Sequence, residues 1–141
     1  MNDLEERIWK ILGRKQTVAL ATMTASGAPW VRYVTIESDR DFTMRFCTSL
    51  SSRKASQISD NPAVHVTCGN LQPPDDSAFL QIAGRAEICS DGKTKSRYWQ
   101  EEWQRYFKGQ DDPDYIMVFI HPYRIEYNGP GSFEPEVWTA D

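Results

Sequence analysis

Residues 17–37 read TVALATMTASGAPWVRYVTIE, and this stretch decides the architecture. Thr17 to Thr24 is apolar and rich in β-formers, Ala25-Ser26-Gly27 carries turn chemistry, and Trp30 to Glu37 returns as a second β-rich run. Two such runs joined by a short turn predict an antiparallel hairpin. Ser38-Asp39-Arg40-Asp41 supplies the next turn, after which Phe42, Met44 and Phe46 alternate with Thr43, Arg45 and Cys47. A period of two puts alternate side chains on opposite faces of a strand, so a three-stranded meander is expected.

Outward from this meander the pattern stays mostly β. On its N-terminal side, Leu4, Ile8, Ile11 and Leu12 recur at helical spacing behind Asn2 and Asp3 as caps, with Gly13 as a stop. On its C-terminal side, Ser51 to Asn61 carries Ala55 and Ile58 three apart, and Pro62 bars continuation, which predicts a helix of about three turns. Ala63 to Gly69 alternates again, Gln72 to Asp76 is a loop, and Ala78 to Cys89 is a long strand whose interior Gly84 marks a bulge or a close backbone approach. Asp91 to Phe107, with Trp99, Trp103 and Phe107 four apart, reads as a second long helix packed outside the sheet. Tyr115 to His121 and Arg124 to Tyr127 are two more strands separated by Pro122, and the tail from Asn128 reads as irregular. Its aromatics, Phe133 and Trp138, have a use if they reach across to a second copy of the chain. Seven strand candidates with local links and three helices imply a mainly β protein, an antiparallel barrel with peripheral helices. With no repeats or linkers, residues 1–141 are expected to form a single domain.

Composition narrows the function classes. Hydrophobic residues at 40% and charged residues at 26% fit an ordinary globular domain. A formal charge of −4 offers no basic excess for nucleic acid or anionic lipid, so any basic site must be local. The start, MNDLEERIWK, is acidic where a secretory signal is basic, and no apolar run approaches the roughly 20 residues that span a bilayer. Cys47, Cys68 and Cys89 are odd in number and without CxxC spacing, as expected of reduced thiols in a cytoplasmic protein. His65 and His121 stand alone, so no metal site is expected, and no G-x-S-x-G elbow points to a nucleophilic serine.

The segment that carries chemistry is Phe46-Cys47-Thr48-Ser49-Leu50-Ser51-Ser52-Arg53-Lys54. It sets hydroxyls and two adjacent cations across a strand end and the first turn of a helix. Cations are disfavoured there, because that end of a helix already carries partial positive charge. An anion docked on the free N–H groups would reverse the sign, and hydroxyls with a guanidinium are what a phosphate uses. The alternative is a simple N-cap at Ser51 or Ser52 with Arg53 and Lys54 solvated. In WVRYVTIE the pleat places Arg32 with Trp30, Val34 and Ile36, an apolar set that requires either an anion or an internal salt bridge. A phosphate met by both Arg32 and Arg53 answers both oddities.

The run SRKASQISDNPAV, followed by FLQIAGRAEI, resembles the signature of the pyridoxamine 5′-phosphate oxidase-related, flavin mononucleotide (FMN)-binding split-barrel superfamily. The blocks Trp99 to Phe107 and GQDDPDYIMVFIHPYRIEY resemble its short bacterial branch, the general stress protein 26-like proteins. This resemblance implies a six-stranded split β-barrel and a homodimer with FMN at the subunit interface. It also implies phosphate contacts from Arg32, Thr48, Ser52, Arg53 and Lys54. Cys47 would lie along the flavin through its backbone, and Tyr33, Val34 and Thr35 would run beside the ring. Glu37 and Phe79 depart from the oxidases, which have lysine and glutamine there, and the oxidases' substrate-binding C-terminal segment is missing from this sequence. The implied function is therefore a flavin-dependent oxidoreductase of stress response acting on a small-molecule redox substrate, not pyridoxamine phosphate oxidation. Alternatives are a flavin-storage protein without turnover, or a barrel using FAD, deazaflavin or haem; for haem, His65 or His121 must face the pocket.

Overall fold

The computed structural model of the protein describes residues 1–69 and 78–141, and the expected loop Gln72 to Asp76 lies outside them. The first element, α1 (Asp3–Leu12), starts where its sequence signal places it. Asn2 accepts from the Glu5 N–H at 2.8 Å, while the Glu5 carboxylate accepts from the Asn2 N–H at 3.0 Å. That reciprocal capping box satisfies two groups a helix end otherwise leaves open. Gly13 closes the helix, and Ile8 and Leu12 point into the core.

The strands are β1 (Gln16–Met23), β2 (Pro29–Ser38), β3 (Met44–Ser49), β4 (Ala63–Gly69), β5 (Phe79–Cys89), β6 (Tyr115–Asn128) and β7 (Glu136–Thr139). Helix α2 (Arg53–Asp60) joins β3 to β4, and α3 (Gly92–Tyr98) follows β5. All pairings are antiparallel in the order β3-β2-β1-β4-β5-β6, and β3 returns to β6. The result is the expected closed six-stranded barrel, with β7 added outside the ring. Its interior is filled by Leu20, Ile36, Met44, Leu80, Ile82 and Ile120, all fully buried. Each such side chain contributes about 1.5–3 kcal/mol over its exposed state.

Closure is uneven, and this positions the site. β2 pairs with β1 along Pro29 to Ile36, yet meets β3 only at Glu37–Arg45 and Ser38–Met44. Beyond those pairs β3 turns to β6, pairing from Met44–Ile120 to Ser49–Tyr115. The wall therefore parts between β2 and β3.

Several expectations need correction. The helix expected over Asp91 to Phe107 breaks: α3 ends at Tyr98, Trp99 is extended (ψ 134°), and a 3₁₀ turn over Glu101–Arg105 follows. The break lets Trp99, Trp103 and Phe107 gather around Tyr115, at centroid distances of 5.3, 5.8 and 5.4 Å. Helix propensity is a weak prior, and this aromatic cluster outweighs it. The two strands expected around Pro122 are one, because Pro122 sits opposite Gly84, where the β5–β6 register shifts. A ring nitrogen that cannot donate is tolerated at such a bulge. There a Cβ on Gly84 would lie 2.9 Å from the His121 carbonyl, so close approach explains the glycine.

The tail is not irregular throughout either. β7 pairs with Arg124 to Tyr127, and Trp138 packs edge-on against its own chain's Phe42 at 5.2 Å. Phe133 remains fully exposed. Finally, α2 is shorter than three turns, and Phe42 lies ahead of β3 with φ +72°.

Candidate functional site

Where the wall parts, a cavity of about 620 Å³ lies between β2 and β3. Tyr33, Val34 and Thr35 line it from one strand, Phe46, Cys47 and Thr48 from the other, and Lys54 from the first turn of α2. Lys15, Gln100, Glu102, Trp103, Arg105 and Tyr106 are in the wall as well. Six of the nine residues singled out in the sequence thus share one cavity, while Arg32, Ser52 and Arg53 stand beside it.

Arg32 shares the inward face of β2 with Val34 and Ile36. Its guanidinium donates to Thr22 Oγ1 at 2.7 Å, to the Leu20 carbonyl at 3.4 Å and to Gln57 Oε1 at 2.8 Å. Thr22 in turn donates to Gln57 Oε1 at 2.5 Å, which ties α2 to the barrel. The expected alternatives for Arg32 were an anion or a carboxylate, and the protein itself supplies neither. Among the described residues, no ion pair involves Arg32, Arg53 or Lys54. Burial lowers the pKa of Arg32, and the charge of Arg53 lowers it further. Lys54 is likewise lowered, first by burial and then by Arg32. Arg32 is thus pressed by Arg53 and presses on Lys54, and no ion pair among the described residues relieves any of the three.

The turn before α2 sorts its hydroxyls. Ser52 is the N-cap and accepts from the Ala55 N–H at 3.2 Å and from the Thr48 hydroxyl at 3.4 Å. Its own proton has no acceptor among the described residues, and neither do the N–H groups of Arg53 and Lys54 at the helix start. Arg53 lies over the Trp30 ring at 5.9 Å. Ser49 and Ser51 are engaged elsewhere: Ser49 donates to the Asp114 carboxylate, and the Ser51 N–H donates to the same carboxylate at 3.1 Å.

On the opposite wall most charges are paired; Arg105, without an ion pair among the described residues, donates to the Glu102 carbonyl at 3.3 Å. Lys15 meets Glu102 at 2.6 Å and Gln100 at 3.2 Å, Gln100 donates to Glu37 at 2.8 Å, and Arg45 bonds Asp39 at 2.8 Å. Cys47, half-buried between these ends, has its thiol pushed up to about 11 by burial, so it stays neutral at pH 7. Of the aromatic set, Trp99 and Phe107 serve the cluster around Tyr115, whereas Trp103 belongs to both cluster and cavity. Lys15, Gln100, Glu102 and Asp114 carried no signal in the sequence, because their partners lie 63 to 87 residues away. Neither His65 nor His121 lines the cavity, and His121 instead meets Glu87 at 3.1 Å. Among the described residues, no cluster of His, Cys, Asp or Glu is placed to hold a metal, and no helix is long and apolar enough to cross a membrane.

The fold and cavity together define the class: an antiparallel split barrel with a cation-cornered cavity at its seam. The chain belongs to the pyridoxamine 5′-phosphate oxidase family, whose model matches residues 4–129. It is 30% identical over 133 residues to General stress protein 26 of Bacillus subtilis (strain 168), covering 94% of each chain. The crystal structure of General Stress Protein 26 from Bacillus anthracis str. Sterne matches with a TM-score of 0.81 at 26% identity, over 99% of this chain and 100% of that one. A heme binding protein from Mycobacterium smegmatis matches with a TM-score of 0.78 over 99% of this chain and 59% of that one; at 19% identity it shows the fold alone.

Proposed function

We propose that the protein binds FMN in the seam, with the phosphate in the corner formed by Arg32, Arg53 and Lys54. The observation that carries this reading is Arg32 set between two further cations, Arg53 and Lys54, with no carboxylate paired to any of the three among the described residues. A phosphate dianion would reverse the sign of that repulsion. The unmatched N–H groups of Arg53 and Lys54 and the free proton of Ser52 are the neutral donors such a group takes. Tyr33 to Thr35 and the Cys47 backbone would then flank the ring. FMN would supply two-electron redox chemistry, while the chain supplies position, charge and access.

The function we propose is that of a cytoplasmic, stress-related flavin-dependent oxidoreductase acting on a small-molecule redox substrate, distinct from a pyridoxamine phosphate oxidase. The exposed side chains of Trp30, Val31 and Tyr33 along the open edge of β2 support a homodimer that completes the site. A second reading, flavin binding without turnover, is favoured by one feature: Glu37 and Glu102, the carboxylates in the cavity wall, are both engaged with neighbours, so no unengaged carboxylate lines the cavity among the described residues. Haem has less support, since neither histidine lines the cavity.

The first observation is absorbance of the purified protein near about 370 and about 450 nm, where oxidised flavin has its bands. Arg53→Glu is expected to abolish FMN retention while the protein stays folded and dimeric; retention at wild-type affinity overturns the phosphate assignment. Bleaching of the bound flavin by NAD(P)H separates the oxidoreductase from the storage reading.

A further inference from the structure

We propose that Asp114, which lies just before β6 and outside the cavity wall, is a positioning residue for the phosphate turn; this rests on the FMN reading above. One residue holds three consecutive members of the turn. The Asp114 carbonyl accepts from the Leu50 N–H at 2.7 Å, while its carboxylate accepts from the Ser51 N–H at 3.1 Å and from the Ser49 hydroxyl. Ser49 has only one proton, and Asp114 takes it. The 2.7 Å contact between the Ser49 and Ser51 hydroxyls must then use the Ser51 proton. Both serines are thus aligned toward Asp114, which leaves Ser52, the next residue, as the hydroxyl with a proton to offer.

Asp114 is itself held in place. Its N–H donates to the Asp112 carboxylate at 2.9 Å, which also accepts from the Lys108 N–H at 2.9 Å. The Asp112 carbonyl accepts at 2.8 Å from Lys95, a lysine only 6% exposed. A relay therefore runs from a buried cation through two aspartates to the start of α2. Hydrogen bonds from Ser49 and Ser51 hold the Asp114 carboxyl below the usual carboxylate range, so it is ionised at neutral pH. Its negative charge can only repel a bound phosphate. Its contribution is shape: it fixes the turn so that the helix-start N–H groups and Ser52 converge.

Riboflavin, which is FMN without the phosphate, separates this role from general support of the barrel. Wild-type protein is expected to bind FMN at least about a hundredfold more tightly than riboflavin, by fluorescence titration. Asp114→Asn keeps one acceptor oxygen and loses the other, and should shrink that preference about tenfold, through FMN alone. Ser49→Ala, a milder change that leaves the carboxylate, should shrink it about threefold. An unchanged or widened preference overturns the proposal, as does equal loss of both flavins. Should Asp114→Asn fail to fold, Ser49→Ala decides by the same criteria. A wild-type protein without preference for FMN overturns the phosphate reading itself, and this inference with it, before any variant is made.

Discussion

The two ends of one cavity treat charge in opposite ways. At the far wall, Lys15 and Arg45 each find a carboxylate and Gln100 bridges Lys15 to Glu37, while Arg105 donates to the Glu102 carbonyl beside that paired carboxylate. At the corner, among the described residues, Arg32, Arg53 and Lys54 find only neutral acceptors, an aromatic face and each other. Paired surface ions typically contribute 0–1 kcal/mol and describe how a protein holds itself together. Unpaired cations that are half-buried, as Arg32 and Lys54 are beside the exposed Arg53, are a cost to the free protein, tolerated where a ligand removes it. The contrast favours the corner, and not the more numerous charges opposite, as the place for the proposed anion.

Charge reversal should break this contrast most sharply. Lys54→Glu is expected to weaken FMN binding by at least about a hundredfold in a fluorescence titration, since it puts a carboxylate where the proposed phosphate would sit. Lys54→Met should cost about tenfold in FMN affinity and yet raise the melting temperature of the flavin-free protein by about 1–3 °C, because it removes a buried, repelled charge. Calorimetry showing a lowered melting temperature would mean that Lys54 is already compensated in the free protein.

The pH dependence sharpens the same point. Binding favours protonated Lys54, whose pKa in the free protein is lowered by burial and by Arg32. Above about pH 6, where the FMN phosphate is a dianion, affinity should hold until that lowered value and fall severalfold as pH rises through it, short of the ordinary lysine value of 10.5. A decline that begins only at 10.5 would remove the mutual repulsion from the account. The smallest effect belongs to the far wall. Lys15→Met should change FMN affinity by no more than about threefold and stability by less than about 1 kcal/mol, as one exposed pair is worth little.

What was legible in the sequence was local. The capping box of α1, the Gly27 turn and the Gly84 bulge are written in adjacent residues, and alternation assigned most of the barrel strands. The corner was legible for the same reason, since Thr48, Ser52, Arg53 and Lys54 are near neighbours and Arg32 is conspicuous on an apolar face. The failures are non-local. Nothing between Tyr98 and Glu101 breaks a helix by itself; the pull comes from Tyr115 and its packing partners. Pro122 separates strands by its own chemistry, but Gly84, 38 positions earlier, supplies the bulge that lets one strand run through it. Asp114 was hidden in a loop rich in aspartate, and only the fold shows that it faces Ser49.

The parted wall has a consequence for isotope exchange. In an antiparallel strand, alternate amides face opposite neighbours, so about half of those in residues 31–35 of β2 point away from β1. Among the described residues of a single chain no strand meets them there, so solvent deuterium should replace their hydrogens quickly, while amides deep in the β5–β6 ladder exchange slowly. Slowed exchange confined to this short edge would report that the gap has been filled, whether or not the occupant is coloured.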